Sequence, residues 1–165
     1  MSGTLTIGID GGINGGIVAL DNNGDVKHSI VMPITKEGQL DIGMLKQLFS
    51  ITFNIPNLVV YFEQAAPRAV SGKRQCFKTG MMYGQMIGLL EGLGIRYVIV
   101  GPQKWQKGIL GETHGNSKAL SIEYCTKRYP NENWYRTKRC KTVHNGLTDA
   151  CCLALFGWKR ECYHE

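Results

Sequence analysis

Short apolar runs separated by turn residues fill the first part of the chain, and helical spacing takes over after it. Thr4-Leu5-Thr6-Ile7-Gly8-Ile9 runs apolar and breaks at Asp10-Gly11-Gly12, which predicts a strand ending at Asp10. Asn14-Gly15-Gly16 turns the chain, Ile17-Val18-Ala19-Leu20 returns as a second strand, and Asn22-Asn23-Gly24 turns it into a third near Val26 to Val31. Gln39 to Phe53 carries Leu40, Met44, Leu45, Leu48 and Phe49 at helical spacing. Asn57-Leu58-Val59-Val60-Tyr61-Phe62 is apolar on both faces, so it reads as a buried central strand ending at Glu63. A loop from Ala65 to Lys73 leads to a helix from Arg74 to Leu93, and a fifth strand spans Arg96 to Val100. Pro102 opens a short helical turn, Ser117 caps a helix to about Arg128, and Tyr129 to Lys141 is polar and irregular. Leu147 to Trp158 is the last helix.

Three hairpin strands followed by strands alternating with helices predict an α/β fold with one mixed five-stranded sheet and helices packed on it. The 165 residues show no linker, repeat or low-complexity tract, so residues 1–165 read as a single domain. Composition narrows the class. Apolar residues make up 43% and charged residues 19%, which is globular rather than disordered. The formal charge of +6 admits nucleic acid or an anionic surface as partner. No stretch is long and uncharged enough for a membrane span, and the first residues lack the layout of a signal peptide, so an intracellular protein is expected. The six cysteines contain no CxxC pair, and Cys151-Cys152 lies inside an apolar run, which suits buried reduced thiols.

Three acidic residues stand out from the solvated rest. Asp10 ends the first strand, Glu63 ends a strand with no polar position, and Asp149 sits in a helix apolar nearly all round. A carboxylate in such a helix must be paired or bind a cation. If the first and fourth strands are parallel neighbours, Asp10 and Glu63 leave the sheet at one end, where the last helix can bring Asp149. Clustered carboxylates repel one another unless a hard cation sits among them, and oxygen ligation suits Mg²⁺ or Mn²⁺. Two such ions in one site serve phosphodiester hydrolysis.

At this point the sequence resembles a family. Ile7-Gly8-Ile9-Asp10-Gly11-Gly12 is similar to the first acidic motif of the RNase H-like nucleases, and Phe62-Glu63-Gln64 to the second. Val98 to Trp105 and Asn116-Ser117-Lys118 match intervening segments, and His144-Asn145-Gly146-Leu147-Thr148-Asp149-Ala150 is similar to the closing motif. The order and spacing resemble the RuvC-like Holliday-junction resolvases, especially their phage, organellar and viral branches. The resemblance implies an RNase H-like nuclease domain, a homodimer, two metal ions per site, and paired nicks in a four-way DNA junction. A phage source would place it in a host cytoplasm. It also implies a fourth metal-site residue shortly before Asp149, for which His144 and Asn145 are the candidates. On an ideal helix Asn145 lies about 40° around from Asp149 and His144 about 140°. Asn145 also reads as a helix cap, which would leave His144 outside the helix and able to reach a metal. An Asn there is either natural, holding a second cation weakly because an amide is uncharged, or a substitute for Asp.

Basic residues supply the affinity such a substrate needs. Arg68, Lys73, Arg74 and Lys78 follow the second acidic motif with no acid among them. Arg136, Lys138 and Arg139 form a second cluster interleaved with Trp134 and Tyr135. Lys104, Lys107 and Lys118 are candidates to offset charge at a scissile phosphate, with Lys118 placed in the catalytic set. Gly80, Gly84, Gly88 and Gly92 make a bare ridge on one helix, suited either to packing within the domain or to a helix-on-helix dimer contact. Other readings compete. An RNase H-fold nuclease could cut flaps, other branched DNA or RNA–DNA hybrids. A sugar-kinase or actin-like ATPase would use Asp10 to Gly16 as a phosphate loop, but needs a second domain. A non-catalytic DNA-binding module would have no use for all three carboxylates.

Overall fold

The computed structural model describes residues 4–52, 55, 57–65 and 72–163. Strands β1 (Leu5–Asp10), β2 (Gly16–Leu20) and β3 (Val26–Val31) form an antiparallel meander. Helix α1 (Ile42–Thr52) leads to β4 (Leu58–Glu63), α2 (Lys73–Gly92) to β5 (Tyr97–Val100), and α3 (Pro102–Leu110), α4 (Ser117–Arg128) and α5 (Asn145–Tyr163) follow. The sheet runs β3-β2-β1-β4-β5, with β4 parallel to both β1 and β5. This is the mixed five-stranded sheet the sequence predicts.

Helices cover both faces of the sheet, which is why β1, β2 and β4 are apolar without alternation. On one face Ile7, Ile9, Val60 and Phe62 pack with Leu45 and Phe49 of α1 and Met82, Met86 and Leu90 of α2. On the other, Val18, Leu20, Val59 and Tyr61 pack with Trp105, Cys125 and the long apolar face of α5. α5 lies unusually close to the sheet because glycine and alanine meet there. A Cβ on Gly8 would collide with Ala150 O and Ala154 N, and one on Gly146 with Asn14 O. The Gly-rich turn after Asp10 therefore has a packing role, since it seats the start of α5.

Several expected boundaries move. α1 begins at Ile42, not Gln39, because Leu40 is taken by a bridge to Ile34. Pro102 opens a nine-residue helix rather than a short turn. Asn116, not Ser117, occupies the N-cap of α4. α5 begins at Asn145 and runs past Trp158 to Tyr163. Its first turn uses backbone acceptors, with Leu147 N donating to His144 O at 3.0 Å and Thr148 Oγ1 to Asn145 O at 3.0 Å. Asn145 is thus the first helical residue and not a cap. The six cysteines are free thiols, with Cys151 and Cys152 buried as expected and Cys125 buried beside them.

The glycine ridge faces outward. Among the described residues, a Cβ at Gly80, Gly84, Gly88 or Gly92 would meet nothing within 4 Å. This overturns packing within the domain as its reason. Trp134 likewise departs from its expected place among the basic residues: it is buried, and its Nε1 donates to Tyr129 O at 3.3 Å. Among the described residues, no helix is long and apolar enough to cross a membrane.

Candidate active site

The parallel register of β1 and β4 runs from Leu5 opposite Leu58 to Ile9 opposite Phe62. One step further it sets Asp10 beside Glu63. Ile9 and Phe62 belong to the core under α1 and α2, so their successors turn to the opposite face, toward α3, α4 and α5. There the Trp105 indole Nε1 donates to Glu63 Oε2 at 2.6 Å. Gly12 N makes a long contact with Asp10 Oδ1 at 3.5 Å. The close seating of α5 on Gly8 brings Asp149 to the same end of the sheet.

Asp149 accepts from Ser121 Oγ at 2.6 Å. Burial pushes its carboxyl up to about 6; the Ser121 hydrogen bond opposes this, the charge of Asp10 adds to it, and Lys118 opposes it. Asp10 and Asp149 therefore sense one another directly. Asp10, Glu63, Asp149 and Lys118 all line one cleft of about 700 Å³. Its far wall comes from α2, where Gln75, Cys76, Thr79, Gly80 and Tyr83 face it. Tyr83 is held by stacking on Phe62, with ring centroids 4.9 Å apart.

The remaining candidates are spread around this cleft. Lys118 is the one among Lys104, Lys107 and Lys118 that lines it; Lys104 lies in a separate hollow beside β5, and Lys107 is exposed on α3. Lys73 and Arg74 are exposed on the first turn of α2, next to Gln75 and Cys76 in the cleft wall, and Lys78 is half-buried one turn on. Arg68 lies outside the described residues. Arg136, Lys138 and Arg139 are exposed in the irregular stretch before α5. His144 and Asn145 do not line the cleft. His144 Nδ1 is buried with no hydrogen-bond partner among the described residues, and burial first, then the charge of Arg136, lowers its pKa.

Two further residues shape the site without a local signal in the sequence, and a third lies beside it. Trp105 and Ser121 orient Glu63 and Asp149, and neither lies near its carboxylate in sequence. Phe77 is 74% exposed on α2, beside Cys76 and Lys78; an apolar residue left out of a helix's buried stripe was the available signal.

The donor set suits a hard divalent cation, because the carboxylates present oxygen alone and the charge of Asp10 is already felt at Asp149. Among the described residues, no three His, Cys, Asp or Glu side chains stand close enough together to hold one ion as they are placed.

No protein-family profile matches the sequence, and no curated protein resembles it in sequence. Solved structures do match in fold. The RuvC structure from Thermus thermophilus superposes with a TM-score of 0.62 at 18% identity, covering 96% of each chain. T. thermophilus RuvC in complex with Holliday junction substrate gives a TM-score of 0.61 at 15% identity, covering 96% of this chain and 95% of that one. With its mixed sheet, its flanking helices and this end-to-end match, the chain has the RNase H-like fold of RuvC.

Proposed function

We propose that this chain is a divalent-metal-dependent endonuclease that resolves four-way DNA junctions by paired nicks. The observation that carries the reading is the convergence of Asp10, Glu63 and Asp149 with Lys118 in one cleft, on a fold shared with RuvC in complex with its junction substrate.

Asp10, Glu63 and Asp149 would hold Mg²⁺ or Mn²⁺, two ions at full occupancy. Such cations supply Lewis acidity toward a phosphodiester oxygen and toward attacking water. The chain's own residues do the positioning. Ser121 fixes the Asp149 carboxylate and favours its charged form. Trp105 fixes Glu63 from the other side. Lys118 places an ammonium in the cleft, where it offsets charge building on phosphate oxygens. Asn145 does not line the cleft but stands one helical turn before Asp149 on the same side of α5, and it and His144 are both candidates for the supplementary metal-site position.

Exposed Lys73, Arg74, Arg136, Lys138 and Arg139 provide phosphate contacts. Phe77, projecting beside the cleft wall, fits stacking on a base opened at a branch point. Two symmetric nicks need two centres, and each chain carries one. The outward ridge of Gly80, Gly84, Gly88 and Gly92 lets a second α2 approach closely. Gly80 also lines the cleft, so this contact would place the interface against the active centre.

The direct test incubates the protein with labelled four-way junction, flap, duplex and RNA–DNA hybrid, each with Mg²⁺, Mn²⁺ or EDTA. Symmetric nicks in the junction alone, abolished by EDTA, are expected. Preferential cutting of the flap or the hybrid would replace the junction as substrate, and cutting in EDTA would remove the metal.

A further inference from the structure

The outer edge of the sheet is built to accept another strand. Among the described residues, β5 pairs with β4 alone. The carbonyls of Arg96 and Val100 turn inward, accepting from Val60 N and Gln64 N at 2.9 Å each. Alternate residues of a strand direct their backbone groups to opposite sides, so those of Tyr97 and Ile99 point away from the sheet. No strand meets them among the described residues, and β5 carries neither a lysine nor a proline to block pairing. Ile99 is 41% exposed there.

A hollow lies on each side of this edge. On the α5 side one of about 570 Å³ is lined by Lys104, Phe156, Arg160 and Glu161. On the α2 side a shallow, open depression lies between β5 and Glu91 and Gly94. Arg96 and Ile99 border both. A strand added to β5 would drop successive side chains into the two hollows in turn.

Charge selects what that strand carries. Glu161 is already engaged: it accepts from Tyr61 Oη at 2.8 Å and from Arg96 Nη1 and Nη2 at 3.0 and 3.2 Å. Lys104 and Arg160 have no acidic partner among the described residues, and the Arg160 guanidinium lies 5.2 Å from the Phe156 ring centroid. The α5-side hollow thus offers two unneutralised cations over an apolar floor. We infer that the β5 edge docks an extended segment of a partner protein with acidic side chains at alternate positions, which joins the sheet as a further strand. Nucleic acid fits the cations but not the edge, because outward carbonyls repel phosphates and a phosphodiester backbone has no N–H to offer them. A second copy fits poorly too, since pairing β5 with itself would bring Arg96, Lys104 and Arg160 of both chains together.

The test uses a short fluorescein-labelled peptide of alternating aspartate and valine, followed by anisotropy. Saturable binding is expected. It should weaken about tenfold or more with Ile99→Pro, which removes an outward N–H without breaking the β4 ladder, and with Arg160→Glu. Ile99→Thr, which keeps the N–H, should bind like the parent. The same peptide N-methylated at alternate amides should not bind, nor should one with lysine for aspartate. Junction cleavage by Ile99→Pro and Arg160→Glu should be unchanged, which separates this surface from the nuclease reading. Should Ile99→Pro fail to fold by circular dichroism, Arg160→Glu and the N-methylated peptide decide the matter. Absence of saturable binding overturns the inference, as does equal binding of the N-methylated peptide. Displacement of the peptide by duplex DNA would make the surface a nucleic-acid contact instead. A drop in oligomer mass on Ile99→Pro would make it a contact between copies.

Discussion

At Asp149, burial and the charge of Asp10 act against ionisation, while the Ser121 hydroxyl and Lys118 act for it. Because the folded pKa lies above the ordinary carboxylate value, the group favours the fold when protonated. That contribution is present below about pH 4 and is lost as pH rises through about 6. Asp149→Asn should therefore stabilise the metal-free protein by roughly 1–3 kcal/mol at about pH 8 and hardly at all near pH 4, as read by calorimetry. The same variant should abolish cleavage, as should Asp10→Asn and Glu63→Gln, while junction binding in EDTA persists or tightens because a negative charge near phosphate is gone. Near-normal turnover by any of the three would remove that residue from the chemistry. Ser121→Ala takes away a donor to the charged form, so the rise of cleavage rate with pH should move to higher pH and be restored by more metal; an unmoved profile would leave Ser121 a purely packing residue. Asn145→Asp adds charge one turn from Asp149 and should raise cleavage at limiting Mg²⁺. Identical metal titrations would confine the site to Asp10, Glu63 and Asp149. The three acids were legible in sequence because each broke an apolar pattern. Ser121 and Trp105 broke none: one hydroxyl and one indole inside amphipathic helices look like any others until the helices pack.

Helix α5 sits where it does because Gly8 and Gly146 let its backbone touch β1 and the turn before β2. Gly8→Ala would set a methyl against the backbone of Ala150 and Ala154, which cannot rotate away as a side chain can. A loss of at least about 2 kcal/mol is expected in denaturant unfolding, together with lost cleavage, because Asp149 rides on the displaced helix. An unchanged midpoint would show that α5 can lift without penalty. Gly84→Leu or Gly88→Leu on α2 should behave in the opposite way, leaving the fold intact and converting a dimer to a monomer in light scattering. Strands were the readiest elements to find in the sequence, since turns such as Asn22-Asn23-Gly24 and the acids at the ends of β1 and β4 mark their limits. Helix starts were harder. Leu40 fits the helical spacing of α1 yet pairs across a turn with Ile34, and periodicity cannot distinguish those two uses of one leucine. Nor can it say whether a glycine ridge looks inward or outward, which depends on which face of α2 meets Ile9 and Phe62.

At the scale of the whole molecule, the proposed resolvase needs two centres acting together, each complete within one chain. Mixed dimers with Asp10→Asn in one chain should then nick a junction once, not twice, and the paired product should fall toward the share of wholly unaltered dimers. Paired cutting that survives at full yield would mean one centre visits both strands. The order of strands was foreseeable because hairpins and crossovers restrict the topologies available; the juxtaposition of β1 with α5 was not dictated by any local signal. That juxtaposition bears on how the protein acquires its activity. Gly8 and Ala150 touch across roughly 140 positions of chain, so seating Asp149 in the site requires a long loop to close. Lys73 and Arg74, on the α2 side of the sheet, need no such closure. On the proposed reading, a chain stalled before α5 docks would keep the phosphate contacts of Lys73 and Arg74 and lack the third carboxylate that cutting requires.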